Sequence, residues 1–168
     1  MTTGELLARQ FADTRDWTKM LIADLEGDEW TFQPGPGLHH VLWLCGHLVT
    51  AQDTLIFNRC LGRTDVLEAE FRAHFPLGGP VASAREHDYP SPEDVLAQMD
   101  VMNARTMQAI RGMSDGLLAE PAYAKDGKSR HPHYEDKLGA VSHLIRHEAF
   151  HAGQIAVLRR LMGKPALR

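Results

Sequence analysis

Apolar residues recur along this chain at helical spacing, and no stretch shows the sustained alternation of a strand. Leu7, Phe11, Thr14, Thr18, Leu21 and Leu25 mark one face of a first helix. It opens with Thr2-Thr3-Gly4-Glu5, a capping box in which Thr2 and Glu5 satisfy each other's backbone donors, and its end is expected near Gly27. The run Gln33-Pro34-Gly35-Pro36-Gly37 reads as a loop. A second helix is predicted from about Leu38 to Leu61, stopping at Gly62. It is apolar almost all round, with Asp53 and Arg59 as its formal charges, so it is either central or covered by a partner. Ser91-Pro92-Glu93-Asp94 starts a third helix with a cap residue, a proline at the first helical position and acids in the first turn. Val95, Met99, Met102, Thr106, Met107 and Ile110 form its buried face, and it ends near Gly112. The fourth runs from about Tyr134 to Met162, where Gly163 and Pro165 stop it.

The segment from Arg63 to Pro90 is long for a connection and suits a crossover between helices that are not antiparallel neighbours. A short helix is expected within it, around Val66–His74. Ser114 to His133 reads as irregular chain of the kind that shapes a site. The prediction is an all-α fold: a four-helix bundle with a long crossover connection between helices 2 and 3, as a single domain over residues 1–168.

Composition removes several classes of function. Hydrophobic residues at 43% and charged residues at 24% are those of a folded chain. A net charge of −4 argues against nucleic acid as a partner, because phosphate binding needs a concentrated basic surface. The nearest basic cluster, Arg159, Arg160, Lys164 and Arg168, complements the C-terminal end of a helix dipole. The first residues break their apolar run with charges, unlike a signal peptide. The longest strongly apolar run, Val41 to Cys45, is far too short to span a bilayer. Cys45 and Cys60 fall on one helix roughly 22 Å apart at about 1.5 Å per residue, too far for a disulfide. Two free thiols without an export signal predict a cytoplasmic setting.

Ten histidines do not form one tract, so the question is which of them point inward together. His147-Glu148-Ala149-Phe150-His151 is the most informative group. Two histidines four apart stack their imidazoles on one face of a helix, where a single metal ion can bridge them. Ala140, Leu144, Gln154, Leu158 and Leu161 share that sector, and Arg146, Arg159 and Arg160 lie on other faces. Two imidazoles inside an apolar stripe need partners, and a metal ion is a better account of them than hydrogen-bonded core histidines.

A zinc protease would need a third ligand downstream of this motif, and the rest of the chain contains no His, Asp or Glu. A diiron bundle would need a second Glu-x-x-His unit, and no other glutamate is followed by histidine at that distance. The third ligand must come from upstream. His47, mid-way along helix 2 on a face with Trp43, Leu44, Ala51 and Leu55, is the best candidate. His39 and His40, at the helix start, are expected in solvent. His74, His87, His131 and His133 fall in loops or near helix ends. His143 continues the row of His147 as its edge.

With Trp43, His47 and Leu48 in one helix, His147, His151, Gly153 and Gln154 in another, and then Leu-Arg-Arg-Leu-x-Gly, the chain resembles the DinB-like superfamily. The resemblance covers nearly the whole chain, and the C-terminal motif is its specific part. It implies a four-helix bundle, a homodimer, and a three-histidine metal site made of His47, His147 and His151. Known activities of the family are transfers and isomerisations that use a low-molecular-weight thiol such as bacillithiol or mycothiol; many members are described only as metal-dependent hydrolases. Pro-Gly-Pro-Gly-Leu-His-His departs from the family's usual polar start of the second helix.

The expected function is therefore a metal-dependent enzyme on a small-molecule substrate, either a thiol-dependent transferase or a hydrolase. Zinc is the expected cofactor, with nickel as the alternative. The same ligands serve water activation or thiolate binding, so the choice between the two reactions stays open. Glu148 is a candidate general base or partner of the ligands, against the alternative of a salt-bridged or solvated carboxylate. Cys45 and Cys60 read as inert packing residues. The rival reading is a non-catalytic, metal-stabilised protein that binds a small ligand. The apolar second helix gives a separate reason to expect a homodimer, unless the crossover covers it.

Overall fold

Thr2 folds back on the first turn as its spacing predicts. Its hydroxyl accepts from Glu5 N at 3.1 Å, and Glu5 Oε2 accepts from Thr2 N at 2.7 Å. The helix so capped, α1, spans Thr3–Ile22 in the computed structural model, which describes residues 1–64 and 66–167. Asp65 in the crossover and Arg168 of the C-terminal basic cluster lie outside the described residues. α1 stops short of Gly27 because Leu25 and Trp30 turn inward: Trp30 Nε1 donates to the Leu25 carbonyl, and a 3-10 turn covers Gly27–Thr31.

α2 spans Val41–Gln52 and continues as a π turn over Asp53–Asn58. Its start is set by His40, whose ring Nδ1 accepts from Trp43 N at 3.2 Å. His40 is fully buried and His39 half-buried, so neither is in solvent as expected from the neighbouring glycines and prolines. A short α3, Ala69–Ala73, lies between α2 and α4, within the span where a short helix was expected. α4 spans Pro92–Arg111, with Ser91 as its cap. The stretch after it is less irregular than its composition implied, since a single turn, α5, forms at Asp115–Leu118 under the Ser114 hydroxyl. α6 spans Lys137–Leu161 and starts later than Tyr134, because Asp136 Oδ1 takes the Gly139 N–H at 2.7 Å. No strand forms among the described residues, so the chain is all-α. No helix in them is long and apolar enough to cross a membrane.

The long helices pack as α1 on α4 and α6, and α2 on the same two. α1 and α6 run the same way: Arg15 pairs with Glu148, and further along Arg159 donates to the Leu21 carbonyl. α4 opposes α1, because a Cβ at Gly4 would meet the Ile110 carbonyl at 2.6 Å while Lys19 pairs with Asp100. α2 opposes α6, with His47 against His147 and Cys60 Sγ near the Lys137 carbonyl. α2 and α4 therefore run the same way.

Every residue of α2 is buried within one chain. The segment between α2 and α4 supplies part of the cover: Phe75 packs so closely on Gly46 that a Cβ there would lie 2.2 Å from the ring. A partner subunit is not needed to hide this helix. Cys45 and Cys60 are free and buried, and burial pushes both thiols up to about 12, so neither is a ready nucleophile.

Candidate metal centre

The antiparallel contact of α2 with α6 brings His47 against His147 and His151. His147 Nε2 lies 3.1 Å from His47 Nε2 and 3.1 Å from His151 Nε2. The three form a group able to hold a metal ion, one ring nitrogen from each lying within 4.8 Å of the others. Ligands on one tetrahedral zinc, with Zn–N of about 2.0–2.1 Å, would sit about 3.3 Å apart, close to the two 3.1 Å separations about His147.

The rings are held from behind. His151 Nδ1 donates to Gln154 Oε1 at 2.6 Å, which leaves the Nε2 lone pair facing the centre. Trp43 stacks on His47 at 4.9 Å between ring centroids, and His39 stacks on Trp43 at 4.7 Å. Burial is the main cause that lowers the imidazole pKa values, to about 3 for His47 and about 4 for His147; His151 is lowered too, with Gln154 pulling it back. At neutral pH the centre is thus three uncharged donors.

Hydrogen bonds alone cannot satisfy it. With His151 Nε2 fixed as an acceptor, His147 Nε2 can donate to one neighbour or accept from one, leaving the other close contact unmatched. Nδ1 of His47 and Nδ1 of His147 are buried without a hydrogen-bond partner among the described residues. A cation takes all three inward lone pairs at once, so the donor set fits a divalent metal that favours imidazole.

Glu148 lies on another side of α6. It is fully buried, and its two oxygens accept from Arg15 Nη2 at 3.0 Å and from Thr18 Oγ1 at 2.8 Å, both on α1. Burial raises its pKa, and Arg15 and Thr18 oppose that rise. Arg159, read from the sequence as off the core, is buried one turn beyond Ile155 and pairs with Asp24. Its long stem packs inside while its fork reaches the end of α1.

His143 is half-buried, with its ring 5.7 Å from that of His147. It lines a cavity of about 200 Å³ together with His47, His147, His131, Tyr134 and Arg59. His131 caps the following turn, its Nδ1 accepting from the N–H groups of His133 and Tyr134. His74 and His87 pair with each other at 3.1 Å in the crossover and take no part in the centre. The sequence carries no signal for Tyr134 and Arg59 here: residues so far apart in the chain come to line one cavity only through the fold.

The fold is similar to that of a conserved protein from Enterococcus faecalis, with a TM-score of 0.77 and 18% identity over 98% of this chain and 99% of that one. At this identity the likeness concerns the fold. No curated protein matches the chain in sequence. Residues 10–155 match the family model of the DinB superfamily, a span that holds His47 on α2 and the paired histidines on α6. The chain belongs to the DinB superfamily.

Proposed function

We propose that the protein is a metal-dependent enzyme for small molecules, built as a four-helix bundle in which a long crossover joins α2 to α4. His47, His147 and His151 are its metal ligands, with zinc first and nickel as the alternative. The convergence of three uncharged Nε2 atoms, one of them aligned by Gln154, carries this reading. The cavity beside them favours catalysis over a purely structural ion. Structural zinc sites close with four protein ligands, whereas catalytic sites keep one position open. Here two of the three donors, His47 and His147, line the adjoining cavity.

The bound ion would supply Lewis acidity that activates a water or a thiol. The chain's own residues do the rest. Gln154 sets the tautomer and tilt of His151, and Trp43 restrains the plane of His47. His143, His131 and the Tyr134 hydroxyl stand at the cavity wall as groups able to exchange hydrogen bonds with a ligand. Glu148 stands behind the centre and fastens α6 to α1. The reaction is either transfer to a low-molecular-weight thiol or hydrolysis, in a cytoplasmic setting where Cys45 and Cys60 stay reduced.

The test is steady-state turnover of electrophilic and ester substrates, metal-loaded against chelated, with bacillithiol, mycothiol, glutathione or no thiol. Turnover that needs both metal and thiol makes the protein a transferase. Turnover that needs only metal makes it a hydrolase. Bound metal with no turnover on any substrate moves the reading to a metal-stabilised protein that binds a small ligand.

A further inference from the structure

Two cavities meet at the end of α2. The smaller, about 200 Å³, is the one beside the histidines, and the larger, about 760 Å³, lies between the π turn and the crossover. Thr50, Thr54, Arg59 and Leu77 line both. Arg59 owes its place there to the π turn. Its N–H donates to the Thr54 carbonyl at 2.9 Å, five residues back rather than four. In an unbroken α-helix the face of His47, Ala51 and Thr54 would continue through residue 58. The extra residue brings Arg59 round to that face instead.

Arg59 is half-buried, and its side chain bonds to its neighbour Asn58 Oδ1. Among the described residues no carboxylate stands within ion-pair distance of it. Burial lowers its pKa, a pull that Tyr134 and Asp126 oppose. The other guanidinium on the larger cavity, Arg72, differs: it pairs with buried Asp53 and reaches Thr54 Oγ1 at 3.4 Å. A guanidinium presents five N–H donors in a planar fork, most of which Arg59 leaves unused.

We propose that the paired cavities bind a small organic molecule carrying a carboxylate, with the carboxylate on Arg59 and the reacting end at the three histidines. This rests on the reading of the histidines as a metal centre, and it names the class of molecule that the centre serves. One unpaired guanidinium balances one carboxylate, and its fork matches that planar group in a two-point contact. A phosphate dianion would call for a second cation beside Arg59; Arg72 pairs with Asp53, and Lys125 lines the larger cavity but not the one that holds the histidines. The larger cavity leaves room for the remainder of the molecule.

The experiment compares binding of 3-mercaptopropionate with that of its neutral amide, 3-mercaptopropionamide, and with inorganic phosphate. Calorimetric titration is run on zinc-loaded and metal-stripped protein. The carboxylate should bind about tenfold more tightly than the amide in both states, the worth of one charge-assisted contact. In Arg59→Gln that preference should fall to within about twofold, and in Arg59→Lys, which keeps the charge but not the fork, to an intermediate value. Circular dichroism reports whether each variant is folded. Equal binding of acid and amide by the wild type, or a full preference in Arg59→Gln, overturns the proposal. So does phosphate binding as tight as that of the carboxylate. A carboxylate preference in metal-stripped protein that never takes up zinc upholds Arg59 and sinks the metal centre. Zinc uptake with no preference does the reverse.

Discussion

Two faces of α6 bury polar groups a few residues apart, and they solve the problem in opposite ways. Toward α1, Glu148 meets Arg15 and Thr18, and Arg159 meets Asp24. Every charge there has its counter-charge inside the same chain. Toward α2, His147 and His151 meet His47, and among the described residues no carboxylate completes the group. Both faces violate the rule that cores are apolar. The difference is that the first is electrically closed, and the second is three neutral donors aimed at one point. A closed ion pair holds helices together; an open donor set calls for a cation from outside. The carboxylate that a protease reading would make catalytic thus belongs to the closed face.

Removing one partner of the closed face should have the largest effect. Arg15→Ala or Glu148→Ala leaves a buried charge uncompensated and should lower unfolding free energy by about 3–5 kcal/mol in denaturant titrations. Replacing both with methionine should recover most of that loss. Metal bound per folded chain should not change in either case, and metal loss in Glu148→Ala with retained stability would reverse the assignment of the two faces.

On the open face the expectation is opposite. His47→Ala and His151→Ala should each weaken metal binding about a hundredfold or more, read by elemental analysis after dialysis. The stability of the metal-stripped protein should change far less. Unaltered metal content in the His47 variant would show that the third ligand is another residue. Gln154→Ala leaves all three ligands but frees the His151 ring, and should weaken metal binding about 10–100-fold.

Acid separates the two sides more gently. His40, which caps the helix carrying His47, is held neutral by burial, its pKa pushed from 6.5 to about 4. The unfolded chain takes up that proton first, so the stability His40 contributes is complete above pH 6.5 and is lost as pH falls toward 4. Asp24, held down to about 2 mainly by its bond to Arg159, stays ionised through this window. Metal-stripped protein should lose about 1–2 kcal/mol between pH 7 and 4.5 through His40. His40→Asn keeps a good cap and should flatten that part of the curve. An unchanged slope would mean that His40 is not held neutral in the fold.

The sequence by itself determined the local elements and the histidine pair. A capping box, a proline-led helix start and a glycine stop act through neighbours in the chain, so α1, α4 and α6 are where the spacing places them, to within the turns reset by Trp30 and Asp136. His147 and His151 lie one helical turn apart whatever surrounds them, and a resemblance carried by their motif pointed to His47. The tertiary structure alone decided the rest. Periodicity gives one apolar stripe, but α6 is packed on two sides, so Arg159 became interior where a single-face count put it outside, and Glu148 is a buried, salt-bridged carboxylate. Covering α2 fell in part to Phe75 against Gly46, a contact between residues far apart in the chain. The π turn, which exists only as a hydrogen-bond register, turned Arg59 toward the histidines. Spacing along a helix fixes angles about its own axis; which angles are buried is fixed by the other helices.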